Sequence, residues 1–195
     1  MFDIVYQGLS LATKYARELR LVQRPSFMWI VPFLLYPILH QFAAFDNVTS
    51  LSLDSLSIHY FNEADIARIF GHFFPTVRTL NLEDSRFSVG GLLRFILRFR
   101  VLDDVSVCDP EWDDEDDVSL VSDSAELPPF RGELHFMGLH PDSVGFVNLL
   151  AHVPIAFQRV SILNCQLPPA PINRLLKRLS PSLTSFSMSG WFDSG

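Results

Sequence analysis

One pattern recurs along this chain and restricts what it can fold into: an apolar residue, two variable ones, then apolar–polar–apolar. It reads VTSLSL from Val48, VRTLNL from Val77, LDDVSV from Leu102, FQRVSI from Phe157 and LTSFSM from Leu183. Looser copies are ARELRL from Ala16 and FRGELHF from Phe130. The central apolar residues Leu51, Leu80, Val105, Leu134, Val160 and Phe186 follow one another at steps of 29, 25, 29, 26 and 26 residues. The alternation within each copy is that of a strand buried on one face. Near-constant steps mean that one structural unit is used repeatedly.

The fullest copy, FQRVSILNCQL at residues 157–167, fits the leucine-rich-repeat frame L-x-x-L-x-L-x-x-N/C-x-L at every defined position. The observed steps also lie within that family's range of roughly 20 to 29 residues. The expected fold is α/β: a leucine-rich-repeat solenoid of about six to seven irregular repeats, with parallel strands on the concave face and helices on the convex face. A single domain over residues 1–195 suits a chain that is 48% hydrophobic, and eighteen phenylalanines against nine glycines point to a core filled by large side chains.

Helical runs follow the strand copies. DIVYQGLSLATKY, residues 3–15, reads as a weak helix before the first copy. NEADIARIFGHFF places Ile66, Ile69, Phe70 and Phe73 on one side at helical spacing, with Asn62 as N-cap. SVGGLLRFILRFR turns Leu92, Leu93, Ile96, Leu97 and Phe99 inward and Arg94, Arg98 and Arg100 outward. DSVGFVNLLAHV, capped at Asp142, buries Val144, Phe146, Val147 and Leu150; APINRLLKRL buries Ile172, Leu175, Leu176 and Leu179. Pro75, Pro154 and Pro181 stand where helix gives way to strand. Each unit leaves apolar edges open, so it must be stacked between neighbours.

Two stretches depart from the pattern. Residues 28–45 approach the roughly 20 apolar residues of a membrane span. Pro32 and Pro37 would break such a helix, and His40 and Gln41 follow within it. A repeat helix packed on both sides explains the same apolarity; the alternative is a membrane-associated protein anchored through residues 28–45. The second departure is acidic. Residues 103–126 hold eleven acidic residues and no basic one, although the net charge of the whole chain is only −7. Residues 111–129 are expected to be an acidic loop or a degenerate repeat helix.

No residue pattern points to catalysis, a cofactor or a metal. Gly90-Gly91 lacks the remaining glycines of a dinucleotide fingerprint and the Gly-Lys-Ser/Thr of a phosphate loop. Nucleophile-elbow and paired-histidine zinc motifs are missing. The six histidines are scattered, and the acidic run at 113–117 lacks the alternating ligands and glycine of a calcium loop. The expectation is a non-enzyme. Two cysteines, Cys108 and Cys165, make no disulfide framework, and no secretory leader is evident; both favour a reducing compartment, cytoplasmic or nuclear. The sequon at Asn47 then has no use.

Function is therefore expected on the polar strand face, where a protein partner would bind. The frame projects Asp54, Asn81, Glu83, Asp104, Ser106, Glu133, His135, Arg159, Ser161 and Ser187 there. An acidic balance favours a partner with a basic or mixed surface. It disfavours nucleic acid, which requires a lysine or arginine patch.

The segments YARELRL, NVTSLSL, FPTVRTLNLEDSRF and LRFILRFRVLDDVSV together resemble the repeat region of fungal F-box/leucine-rich-repeat proteins, particularly those of mushroom-forming families. The resemblance runs from about Tyr15 to the end and implies a substrate-recognition role in a ubiquitin ligase, whose adaptor docks on an F-box. No Leu-Pro-rich F-box stands before the repeats here, and the chain ends at WFDSG directly after a strand. A fragment, a shortened gene product and a divergent member all accord with that.

Overall fold

The structure, a computed structural model, describes residues 15–22, 47–56, 70, 75–112, 130–153 and 155–190. Alternating apolar and polar residues give seven five-residue strands: β1 (Glu18–Val22), β2 (Ser50–Asp54), β3 (Thr79–Glu83), β5 (Asp104–Cys108), β7 (Glu133–Met137), β8 (Arg159–Leu163) and β9 (Ser185–Ser189). They form one parallel sheet in the order β1-β2-β3-β5-β7-β8-β9. Each strand pairs with the next long one in the chain. The fold is thus α/β with a seven-stranded parallel sheet.

The register follows the sequence periodicity. Leu19, Leu51, Leu80, Val105, Leu134, Val160 and Phe186 stand side by side across the sheet. A one-residue slip would turn the buried set to solvent, so burial specifies this register strongly. Leu51, Leu80, Val105, Leu134 and Val160 are all buried.

Backbone hydrogen bonds continue the order beyond both ends of the strands. Ahead of them, the carbonyls of Arg17, Thr49, Arg78, Gly132 and Gln158 each accept two N–H groups from the next unit. Behind them, Ser55, Asp84, Asp109, Gly138 and Asn164 all adopt positive φ, from 46° to 66°. That bend redirects each chain, and the N–H groups of the first four donate to the strand-end carbonyls of Glu83, Cys108, Met137 and Leu163. Asp and Asn tolerate the left-handed conformation better than most residues, and Gly138 has no Cβ to oppose it. After the bend, β4 (Arg86–Phe87) and β6 (Glu111–Trp112) form a second, two-stranded parallel sheet.

One column just past the bends is buried throughout: Leu56, Ser85, Pro110, Leu139 and Cys165. Ser85, its hydroxyl member, accepts from the Leu56 N–H at 3.3 Å and lies within donating distance of the carbonyls of Leu53 (3.4 Å) and Glu83 (2.9 Å). Ser85→Ala should therefore cost about 1–3 kcal/mol in urea unfolding, the penalty for an unpartnered buried N–H; an unchanged midpoint would remove this role.

Among the described residues, the core lies between the apolar sheet face and the helices α1 (Val89–Ile96), α2 (Val144–Leu150) and α3 (Pro169–Leu179), with helical Phe70. Ser88 caps α1, accepting from the Gly91 N–H at 3.0 Å. Proline at the first turn of α3 supplies a φ suited to helix. Aromatic rings knit neighbouring units together: Phe130 stacks on Phe157 with centroids 5.3 Å apart, and Phe146 meets Phe136 at 6.0 Å and Trp112 at 5.3 Å.

Several expectations change in detail. Asp142 does not cap α2; it is exposed in a 3-10 turn at Pro141–Ser143, because the proline before it begins the turn early. Leu97, Leu176 and Val144 are half-buried, near the margins of their helices' apolar faces, while Phe95 is buried although the helical pattern left it out. Of the acidic stretch expected over residues 111–129, Glu111 and Trp112 are instead paired in β6; the Trp112 indole donates to the Ser143 hydroxyl at 2.8 Å and so anchors the turn. Residues 113–129 lie outside the described residues, as does the apolar stretch 28–45; of the helix expected over residues 3–15, Tyr15 is described and is helical. Of the helix expected after Asn62, Phe70 is described: it is helical and buried. Among the described residues no helix is long and apolar enough to cross a membrane.

Candidate protein-binding face

Alternation along each strand sends every second side chain to the face opposite the core. Asp54, Asn81, Glu83, Asp104, Ser106, Glu133, His135, Arg159, Ser161 and Ser187 all lie on that face, at the first, middle or last position of their strands. Parallel in-register pairing aligns these positions in three rows crossing the sheet. The middle row runs Arg20, Ser52, Asn81, Ser106, His135, Ser161 and Ser187.

The rows bring together two charged groups. Arg20, on β1, places its Nη2 2.6 Å from Asp54 Oδ2 and 3.2 Å from Glu83 Oε2, spanning three strands. The hydrogen bond to Asp54, with the attraction of both carboxylates, raises the Arg20 guanidinium further above its ordinary value. Farther along, Arg159 Nε lies 3.2 Å from Glu133 Oε2 and its Nη2 3.9 Å from Asp104 Oδ1. Asp104 Oδ1 also accepts the Glu133 N–H at 2.6 Å, fixing the start of β7. These are solvent-exposed pairs, so they set orientation more than stability.

Neutral members pair more locally. Asn81 Nδ2 donates to Ser52 Oγ at 3.2 Å, Ser187 donates to Ser161 at 3.1 Å, and Ser106 Oγ lies 3.4 Å from Cys108 Sγ. His135 is half-buried in the middle row between Ser106 and Ser161. Over the strand positions of this face, the carboxylates of Glu18, Asp54, Glu83, Asp104 and Glu133 outnumber the guanidiniums of Arg20 and Arg159.

No protein-family model, curated protein or solved structure matches this chain. The chemistry of the face must therefore be read from its own groups. Among the described residues no three His, Cys, Asp or Glu side chains are placed to hold a metal ion. Burial pushes both thiols up, Cys108 also through the nearby carboxylates of Glu83, Asp109 and Asp84. A raised thiol favours the neutral form in the fold. The stability it contributes is complete below the free thiol's ordinary range and is lost as pH rises through that range toward the native value. Iodoacetamide at pH 8 should accordingly alkylate buried Cys165 far more slowly in the folded protein than in urea, and half-buried Cys108 to a smaller degree, read by intact mass; an equal rate for Cys165 in both states would contradict its burial.

Three features of the face were missed by reading along the strands. One is Arg20 as the clasp between Asp54 and Glu83. The second is Asp84 and Asp109, exposed at the positive-φ bends. The third is the last row, where Cys108, Met137 and Leu163 adjoin. A reading down the rows, with the copies aligned, would have found the third.

Proposed function

We propose that this chain is a leucine-rich-repeat solenoid serving as a non-enzymatic protein-interaction scaffold, with the polar strand face as its binding surface. The observation that carries the reading is the in-register display of side chains from seven adjacent strands on the face that the core does not use. A parallel sheet normally has both faces covered; here the second face carries a polar, predominantly acidic array. Such an array suits a partner with a basic or mixed surface, through association rate and specificity.

The test is a photo-crosslinking residue placed at Asn81 on the strand face, and separately at Lys177 on α3. The Asn81 position should capture a protein partner and the Lys177 position should not. Glu83→Lys should leave thermal unfolding within about 0.5 kcal/mol of the parent, as exposed substitutions do, while weakening capture at Asn81. Equal capture from both sides would defeat the reading.

The narrower form, substrate recognition for an F-box-type ubiquitin ligase in the cytoplasm or nucleus, rests on the sequence resemblance alone. A captured partner that accumulates when this protein is silenced supports it; a partner whose level does not change leaves the scaffold without the ligase.

A further inference from the structure

We propose that the partner is gripped at the row Cys108–Met137–Leu163, and that it presents an extended segment in which lysine or arginine neighbours a large aliphatic or aromatic side chain. The inference rests on the scaffold reading and adds the chemistry of what is bound.

Cys108, Met137 and Leu163 are cross-strand neighbours at the last position of β5, β7 and β8. They face away from the core, because Val107, Phe136 and Ile162 beside them point into it. Elsewhere the same face is chiefly hydroxyl, amide or charged, so three adjoining apolar residues are a local departure, of the kind that marks contact surfaces. Adjacent strands lie about 4.8 Å apart, so the row is roughly 10 Å long. An extended segment rises about 3.3 Å per residue and would cover it with three or four residues.

The border of the row has a charge of one sign. Asp84 and Asp109 follow β3 and β5 at the positive-φ bends, are exposed, and have no ion pair among the described residues. The Asp109 carboxylate lies over Gly138, directly after Met137, where a side chain would collide with it. Glu83 stands beside Cys108 in register, and Glu83, Asp84 and Asp109 all act electrostatically on its thiol. A neutral apolar segment laid on the row would desolvate carboxylates without replacing their partners. An acidic segment would be repelled. A cation beside the apolar side chain meets both requirements.

Random peptides displayed on phage and selected on the whole chain provide the test. The selected sequences should carry Lys or Arg within two residues of Leu, Ile, Met or Phe. Their synthetic forms should lose about tenfold or more in affinity on Met137→Asn with Leu163→Asn. Asp84→Asn with Asp109→Asn should also weaken them, and flatten their salt dependence. Asparagine tolerates positive φ, so that pair removes charge without straining the bends; circular dichroism melts verify the fold of each variant. Selection of no peptide, selection without this signature, or unchanged affinity in both double variants overturns the inference. Peptides that respond instead to substitutions at Asn81 or Ser187 would leave the scaffold reading standing and remove only the row. Peptides indifferent to every substitution on the strand face would count against both.

Discussion

Leu80→Asp should abolish the cooperative unfolding transition at pH 7. Leu80 is fully buried in β3, with Leu51 on one side and Val105 on the other at the same level of the sheet. A carboxylate there would be surrounded by the apolar groups of the core. It must either protonate or bring water into the core, and both are costly. The expected loss exceeds about 4–5 kcal/mol, a large part of the roughly 5–15 kcal/mol by which domains are stable. Leu80→Ala, which removes volume without adding charge, should lose about 2–5 kcal/mol and keep a two-state transition. Because the buried carboxyl favours its neutral form, Leu80→Asp should regain structure as pH falls toward 5. Urea titrations followed by far-UV circular dichroism distinguish these cases. A parent-like midpoint for Leu80→Asp would mean that the side chain does not lie in a core shared by neighbouring strands.

The burial of Leu80 is legible in the sequence for a physical reason. A strand with one buried face has a period of two, and a repeated unit adds a second constraint at each step, so Leu51, Leu80, Val105, Leu134, Val160 and Phe186 identify one another. The same alternation placed all ten candidate binding residues on the opposite face. Helix boundaries were less legible. Asp142 has the residue type of a cap, but Pro141 starts a 3-10 turn ahead of it, and the choice between them depends on how the turn meets Trp112. The links between rows were not legible at all. Arg20 reaches Glu83 across 63 residues of chain, a contact that depends on two flexible side chains and the stacking of three strands. The last row failed for another reason. Cys108, Met137 and Leu163 each look ordinary within their own strand and become a surface only when adjoining strands are read together.

Phe95→Ala should produce the largest cavity effect among the helices. The helical pattern of α1 assigned inward positions to Leu92, Leu93, Ile96, Leu97 and Phe99, yet Phe95 is 1% exposed. Its ring meets Phe70 edge-on at 5.1 Å and Phe99 edge-on at 5.3 Å, and lies 6.1 Å from Phe87. Phe70 belongs to the preceding unit, so Phe95 is not an extra member of its own helix's stripe. It occupies the joint between units, a direction that a one-helix projection does not include. Truncation to alanine removes the ring and leaves Phe70, Phe87 and Phe99 facing a void that their rigid neighbours cannot fill. The expected loss is about 3–5 kcal/mol, including roughly 0.5–1.5 kcal/mol for each well-oriented ring pair. For a chain of this length that corresponds to a fall in Tm of roughly 6–20 °C. Phe186→Ala, at a ring already 41% exposed on the terminal strand β9, should cost far less. The two substitutions remove the same atoms, so their difference isolates burial at the joint from the loss of an aromatic group. Equal losses for Phe95 and Phe186 in calorimetry would show that the joint between units is not where this fold stores its stability.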